Sequence, residues 1–476
     1  MAVWYSLFVR SFADSDANGI GDLNGLIKRL DYFTELGIDG IWLLPVHPAP
    51  SYHKYDVVNY YQIDPEYGTM KDFRKLVKEA HRRGIKIMLD LVLNHCSDQH
   101  PWFRHALQGK SNHHRQWFVW KNAGLVTTDD ETHWHQPEKG PQDEMYYGLF
   151  WKGMPDLNYD EPSVRKAAAE IACFWIENGV DALRLDAAMH IFPPGRETDN
   201  IKWWQEFRKS VDKCARNTFT VGEITESCGY IAPHLQKGLH SAFNFELAEH
   251  IIQALLYERH DCLADWLKGV QDYYFSIDAN AVDSIFLSNH DQVRIASRLN
   301  GNMAKIKLAA SILMTLPGEV FIYYGEELGM QGEKPDEHLR EPFPWTWEKN
   351  EEIASWITPK YCTADQLKSL EEQRNDSNAL FNHYKALLKI RKQHLALENG
   401  KFGKVECNDP SVLLFTRELP EQRVLVMHNL SGEEVLLKHE EENNFFEILF
   451  GNADSLMDIT GLFRLAPYSS LVIHVN

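Results

Sequence analysis

The feature that most constrains this chain is a rhythm: short apolar runs of strand composition alternate with longer segments of helical period. Residues 3–8 read as a strand, and 26–36 carry apolar side chains at helix spacing until Gly37 stops them. Residues 41–44 read as a strand ending at Pro45, 73–83 as a helix closed by Gly84, and 87–93 as a strand. The alternation returns with helix 164–178, Gly179, strand 182–185, helix 203–215 and strand 219–221. Strand 284–287, helix 306–314 and strand 320–323 follow. Glycine suits the left-handed position that ends a helix, so its place between helix and strand is a stop signal. Repeated strand–helix units predict a parallel sheet covered on both faces. About eight of them predict an α/β fold closed into a (β/α)8 TIM barrel rather than an open sheet.

Two regions break the rhythm. Residues 96–155 are rich in His, Trp, Gln and Gly without a sustained period, an excursion between the third strand and its helix. From residue 396 onward, short strands such as 412–416 and 423–428 are separated by Asn, Gly and Glu clusters, which predicts an antiparallel β-sandwich. The expected organisation is a barrel over 1–95 and 156–395, an inserted loop-rich domain over 96–155, and a C-terminal β-sandwich domain over 396–476. A length of 476 residues agrees with more than one core.

Lys and Arg number 49 against 68 Asp and Glu, a formal charge of −19. So acidic a chain has no electrostatic reason to bind phosphate backbones or anionic lipid, and nucleic acid is excluded as a natural partner. The most apolar region, 308–324, is interrupted by Ser311, Thr315, Pro317, Gly318 and Glu319, so no membrane span is expected. The first residues lack the basic and apolar segments of a secretory leader. The seven cysteines are odd in number, scattered and never C-x-x-C. Together these favour reduced thiols and a cytoplasmic protein, with a secreted or periplasmic one as the alternative where a leader has been removed. A monomer is the expected state.

In a barrel of this kind the chemistry lies at the carboxyl ends of the strands. There the third strand gives Asp90-Leu91-Val92-Leu93-Asn94-His95, the fourth ends in Arg184-Leu185-Asp186, the fifth in Val221-Gly222-Glu223, and the seventh in Phe286-Leu287-Ser288-Asn289-His290-Asp291. Arg184 and Asp186 are two apart, so the strand period places them on one face. A guanidinium there favours an ionised Asp186, as a nucleophile needs, while Glu223 on the neighbouring strand stays protonated in an apolar or negative field. Two carboxyls with opposite protonation, plus a third in Asp291, are what retaining glycoside hydrolysis requires. Asp90 reads as a buried hydrogen-bonding partner beneath them. For Asn94, a loop tie and a second metal are equally open.

These four segments, in this order, resemble the four signature regions of the α-amylase family of glycoside hydrolases. Met154-Pro155-Asp156-Leu157-Asn158 resembles a fifth, of a form between oligo-1,6-glucosidases and neopullulanases. The resemblance spans essentially the whole chain. It implies Asp186 as nucleophile, Glu223 as general acid/base and Asp291 as the carboxylate gripping the distorted sugar. Arg184, His95 and His290 would hold that sugar, and Tyr55 would stack beneath it. The family includes transporter-associated subunits that lost the acids; here all three are present, which weighs against a non-catalytic glycan-binding scaffold.

A separate motif, Asp14-Ser15-Asp16-Ala17-Asn18-Gly19-Ile20-Gly21-Asp22, sets oxygen ligands at EF-hand positions 1, 3, 5 and 9. The Ile20 carbonyl stands at position 7, and Gly25 occupies position 12 where the bidentate Glu belongs. The loop follows a strand rather than a helix. Its resemblance to the loop of oligo-1,6-glucosidase relatives implies one structural Ca²⁺, with Mg²⁺ as the alternative ion.

Trp102, Trp117, Trp120, Trp134 and Trp151 suit either a sugar-stacking cleft wall or ordinary core. His113-His114 and His133/His135 read as exposed loop histidines. Three departures from the family bear on specificity. The acid that seals exo-acting glucosidases is replaced by Tyr52. The Lys-His after the nucleophile of many α-amylases is Met189-His190. Arg340, in His338-Leu339-Arg340-Glu341, reads equally as a cleft residue or a structural ion pair. The expected activity is a retaining, endo-leaning α-1,4-glucan hydrolase acting on starch, glycogen or maltooligosaccharides. A 4-α-glucanotransferase and an α-1,6-glucosidase are the nearest alternatives.

Overall fold

The computed structural model describes residues 1–126, 132–140, 142–216, 218–260, 262–348, 350–438, 446–451 and 462–475. Eight parallel strands form the central sheet. They are β1 (Val3–Leu7), β2 (Gly40–Leu43), β3 (Lys86–Leu91), β4 (Ala182–Leu185), β5 (Phe219–Gly222), β6 (Ser241–Ala242), β7 (Ser284–Ile285) and β8 (Glu319–Tyr323). Each pairs with the next from β1 to β6; β8 lies between β7 and β1; and a parallel bridge from Phe243 to Ser284 closes the ring. The fold is the expected TIM barrel. The sequence reading passed over β6, because two small residues carry no period. It also passed over two helices between β6 and β7, Phe245–Tyr257 and Leu263–Ile277.

Local chemistry explains the punctuation. Gly37, Gly84 and Gly179 all have positive φ (97°, 73° and 95°), the backbone a side chain resists. The helix Met70–His81 starts in a reciprocal capping box between Thr69 and Asp72. The single helix expected over 26–36 is instead two, Leu23–Lys28 and Leu30–Leu36. Arg29 breaks them with φ −102° and ψ 5°, its guanidinium lying over the Trp345 ring and pairing with Glu352. The 96–155 excursion carries a three-stranded antiparallel sheet: Trp120–Asn122, Trp134–His135 and Glu144–Tyr147. Most of the C-terminal strands, including Val412–Leu419 and Gln422–Asn429, form a five-stranded antiparallel sheet, with a further two-stranded sheet beside it.

Register decides which side chains meet. Asp90 on β3 lies level with Arg184 on β4, and Leu185 lies level with Gly222 on β5. Asp186 and Glu223, each one residue further on, therefore share the next layer towards the barrel mouth. Gly222 packs closely on its neighbours: a Cβ there would sit 2.5 Å from the Leu239 Cδ1 methyl and 3.3 Å from the Ala188 Cβ.

The cysteines depart from the expectation of reduced thiols. Cys173 and Cys214 form a disulfide between helices Pro162–Glu177 and Glu197–Cys214, which flank β4. A separation of 41 residues has no sequence signature. The bond closes a loop containing Arg184 and Asp186. Chain-entropy arguments assign a loop of that size about 3–4 kcal/mol. Reduction, or Cys214→Ser, should lower the melting temperature by several degrees, and a reductant should then have no further effect on the Cys214→Ser protein in a thermal melt.

Candidate active site

The site is built on one guanidinium. Arg184, 1% exposed, reaches Asp90 at 2.8 Å and Asp186 at 2.6 Å through Nη1, and Glu223 at 2.9 Å through Nη2. The residue after Asp186 completes the arrangement: Ala187 takes a left-handed backbone (φ 46°), and its N–H donates to Glu223 Oε2 at 3.0 Å. A non-glycine residue in that region is strained, and strain is held where the surroundings enforce it. Here the enforcing groups are Asn200 and Trp204, whose side chains both donate to the Ala188 carbonyl.

Three carboxyls against one cation leave excess negative charge. Burial pushes the Asp186 carboxyl well above the usual carboxylate range; Arg184 pulls it down, but Glu223 and Asp90 add to the rise. Asp90 is raised too, by burial, against the pull of Arg184 and His290. Arg184, whose charge is shared among three acids, is the group that pulls Asp186 towards the ionised form against that rise.

The opposite wall is richer in cations. Asp291, its side chain 45% exposed, lies 3.0 Å from His290 Nε2 and accepts from Arg340 Nη2 at 2.8 Å. Against the desolvation it suffers, these neighbours and Arg184 hold its carboxyl far below the usual range. Tyr55 joins the two walls. Its ring stacks on His290 at 5.5 Å, and its hydroxyl donates to Asp90 at 3.1 Å and lies 2.6 Å from His290 Nε2. His95 is buried beside the Tyr55 carbonyl (3.2 Å), and burial lowers its pKa to about 3, so it acts as a neutral ring. Arg340 faces the cleft and forms an ion pair at once, reaching Tyr52 Oη as well as Asp291.

The structure thus brings together every residue expected at the cleft. It adds Phe150, 50% exposed; the neighbouring Trp151 is 46% exposed. The Phe150 ring stands 5.2 Å from His95 and 6.3 Å from His190. The Trp151 ring lies against Gly153, where a Cβ would meet it at 2.3 Å. Trp151 was among the tryptophans left open between cleft and core; Phe150 was missed, its one signal being two aromatics just before the Met154–Asn158 motif. Trp102, Trp117 and Trp120, by contrast, pack against the core. Asn94 ties loops: its amide donates to the His190 carbonyl at 2.7 Å and its oxygen lies 3.1 Å from His95 Nδ1.

Away from the cleft, the loop after β1 gathers the carboxylates of Asp14, Asp16 and Asp22, with ligand oxygens within 4.8 Å of one another. Asn18 and Ile20 lie on the same loop. Asp22 also caps the helix Leu23–Lys28 by accepting from Asn24 and Gly25.

A closed parallel barrel with paired carboxyls at its mouth defines a barrel glycoside hydrolase. The family model "Alpha amylase, catalytic domain" matches residues 6–400, and "Alpha-amylase SusG C-terminal domain" matches 412–472. Alpha-amylase 3 of Dictyoglomus thermophilum is 41% identical, over all of this chain and 93% of its own length. A 4-alpha-glucanotransferase of Thermotoga maritima is 34% identical over 92% of this chain and 97% of its own. The crystal structure of alpha-amylase from H.orenii superposes with a TM-score of 0.92 at 38% identity, covering 100% of this chain and 99% of that one. The chain belongs to the alpha-amylase family of retaining glycoside hydrolases. Among the described residues, no helix is long and apolar enough to cross a membrane.

Asp156 offers a pH test of the packing behind the cleft. Burial raises its carboxyl to about 8, although it accepts hydrogen bonds from the Leu149 N–H and from Asn94. An acid whose folded pKa exceeds its unfolded value holds a proton in the folded state alone between the two. Stability therefore falls as pH rises from about 4 to about 8, by up to about 1.4 kcal/mol per pH unit. Asp156→Asn should flatten that slope in urea unfolding measured across this range, relative to the unmodified protein.

Proposed function

We propose that the chain is a retaining, endo-leaning α-1,4-glucan hydrolase acting on starch, glycogen or maltooligosaccharides. The observation that carries this reading is the Arg184 fork, with Asp186 and Glu223 on its two nitrogens and Asp291 across the cleft. Asp186 attacks the anomeric carbon and forms a glycosyl ester, while Glu223 gives its proton to the departing glycosidic oxygen. Glu223 then takes a proton from water, whose oxygen displaces Asp186 and releases the α-product. The excess of carboxyl over guanidinium charge favours the positive charge that grows on the sugar in both steps. Asp291, kept ionised by His290 and Arg340, accepts hydrogen bonds from that sugar's hydroxyls, with Tyr55 beneath it and His95 and His290 beside it. The endo preference rests on Tyr52, which accepts from Arg340 where an exo enzyme would set an acid.

A second reading, the 4-α-glucanotransferase, is favoured by one specific observation. Exposed Phe150, beside His95 and His190, offers an aromatic face on which an acceptor sugar can stack. A relative 34% identical carries that name. Maltoheptaose followed in time, with products resolved by length and Asp186→Asn as blank, separates the readings. Shorter products from internal cleavage support the hydrolase, early products longer than the substrate support transfer, and glucose alone from the outset overturns endo attack. Phe150→Ala should lower any transfer-to-hydrolysis ratio several-fold.

The Asp14, Asp16 and Asp22 carboxylates, with Asn18 and the Ile20 carbonyl, would hold one Ca²⁺, whose chemistry there is neutralisation of the acidic loop. A chelator should lower the melting temperature and added Ca²⁺ restore it, whereas Asp16→Ala should melt at one temperature with or without the ion.

A further inference from the structure

We propose that Trp356 is a positioning residue for cleavage: it grips Arg340 from two sides and so holds that guanidinium on Asp291. The inference rests on the reading that Asp291 works on the sugar. One arm runs through the indole N–H, which donates to Ser11 Oγ at 2.8 Å, and the Ser11 hydroxyl donates in turn to the Arg340 carbonyl. The other arm runs through the ring face. Tyr52 stacks on Trp356 at 5.2 Å with planes 23° apart, and Tyr52 Oη accepts from Arg340 Nη1 at 3.2 Å. One side chain therefore fixes both the backbone and the head of Arg340. It is itself held by the Arg10 guanidinium 5.3 Å from its ring and by Phe8 edge-on at 6.1 Å.

The segment carrying Trp356 is not a free loop. Asp14 N–H donates to the Glu352 carbonyl at 3.0 Å and Ser355 N–H to the Gly19 carbonyl at 2.8 Å, which ties it to the acidic loop after β1. The grip matters because Arg340 has a competing partner. Its Nη2 lies 2.8 Å from Asp291 but also 3.5 Å from Asp336; without Tyr52 the guanidinium, still tethered by its Nε to the His290 carbonyl at 3.1 Å, can pivot towards the second acid. Asp291 would then lose the guanidinium in direct contact with it, the His290 imidazole remaining.

The test compares Trp356→Leu, which removes both arms, with Trp356→Phe, which keeps a face for Tyr52 but has no N–H for Ser11. On maltoheptaose, Trp356→Leu should lose roughly tenfold or more in kcat, with KM altered by less than about threefold. That split is expected of a group acting in the transition state, and Trp356→Phe should recover part of the loss. Unchanged kcat in folded Trp356→Leu overturns the proposal. If the leucine variant does not fold, unchanged kcat in Trp356→Phe overturns it instead. A second measurement needs no substrate: thermal unfolding of Trp356→Phe, Arg340→Lys and the double variant. Non-additive losses support the grip, and additive losses contradict it. Failure of the unmodified chain to cleave any α-glucan would remove the functional reading, and with it the positioning role, while the unfolding cycle still decides the contact.

Discussion

Everything at the mouth of this barrel depends on Arg184. A guanidinium is planar, permanently charged and forked, and here the fork spans three carboxyls that would repel one another without it. The position exists because β3, β4 and β5 are parallel and in register, which sets Asp90 level with Arg184 and puts Asp186 and Glu223 one layer further out. A slip of one residue would not leave the cluster intact. The charge imbalance is part of the design: a pocket short of positive charge is poised for a substrate that develops it.

The two walls of the cleft are tuned in opposite directions. Around Arg184, burial and mutual repulsion raise Asp90 and Asp186. Around Asp291, contacts with His290 and the Arg340 guanidinium hold the carboxyl low. Tyr55 spans the divide through Asp90 and His290, so the aromatic floor and the hydrogen-bond network are one object. Support comes from beyond the strands: Asn200 and Trp204 fix the loop after Asp186, and the disulfide Cys173–Cys214 joins the helices on either side of β4.

The barrel was legible because its signal is local and repeated: glycines at helix ends and ionisable residues at strand ends. Asp186, Glu223 and Asp291 were legible for the same reason, each following an apolar run. β6 was not, since Ser241 and Ala242 are too few to show a period. The break at Arg29 depends on Trp345 and Glu352, more than 300 positions away, and the Cys173–Cys214 bond on two helices coming together. Adjacency in sequence showed Asp186 one cation; that the same cation also serves Asp90 and Glu223 is visible only in space. Phe150 escaped because exposure, which makes an aromatic useful to a sugar, is invisible in composition.

The most direct measurement is the identity of the residue that carries the sugar. Glu223→Gln, which cannot activate water, would be given an α-maltosyl fluoride, whose leaving group needs no proton, and the trapped protein digested for peptide mass analysis. A glycosyl ester on Asp186 is the result this account predicts. An ester on any other carboxyl, or turnover to the β-anomer with no ester at all, would contradict it.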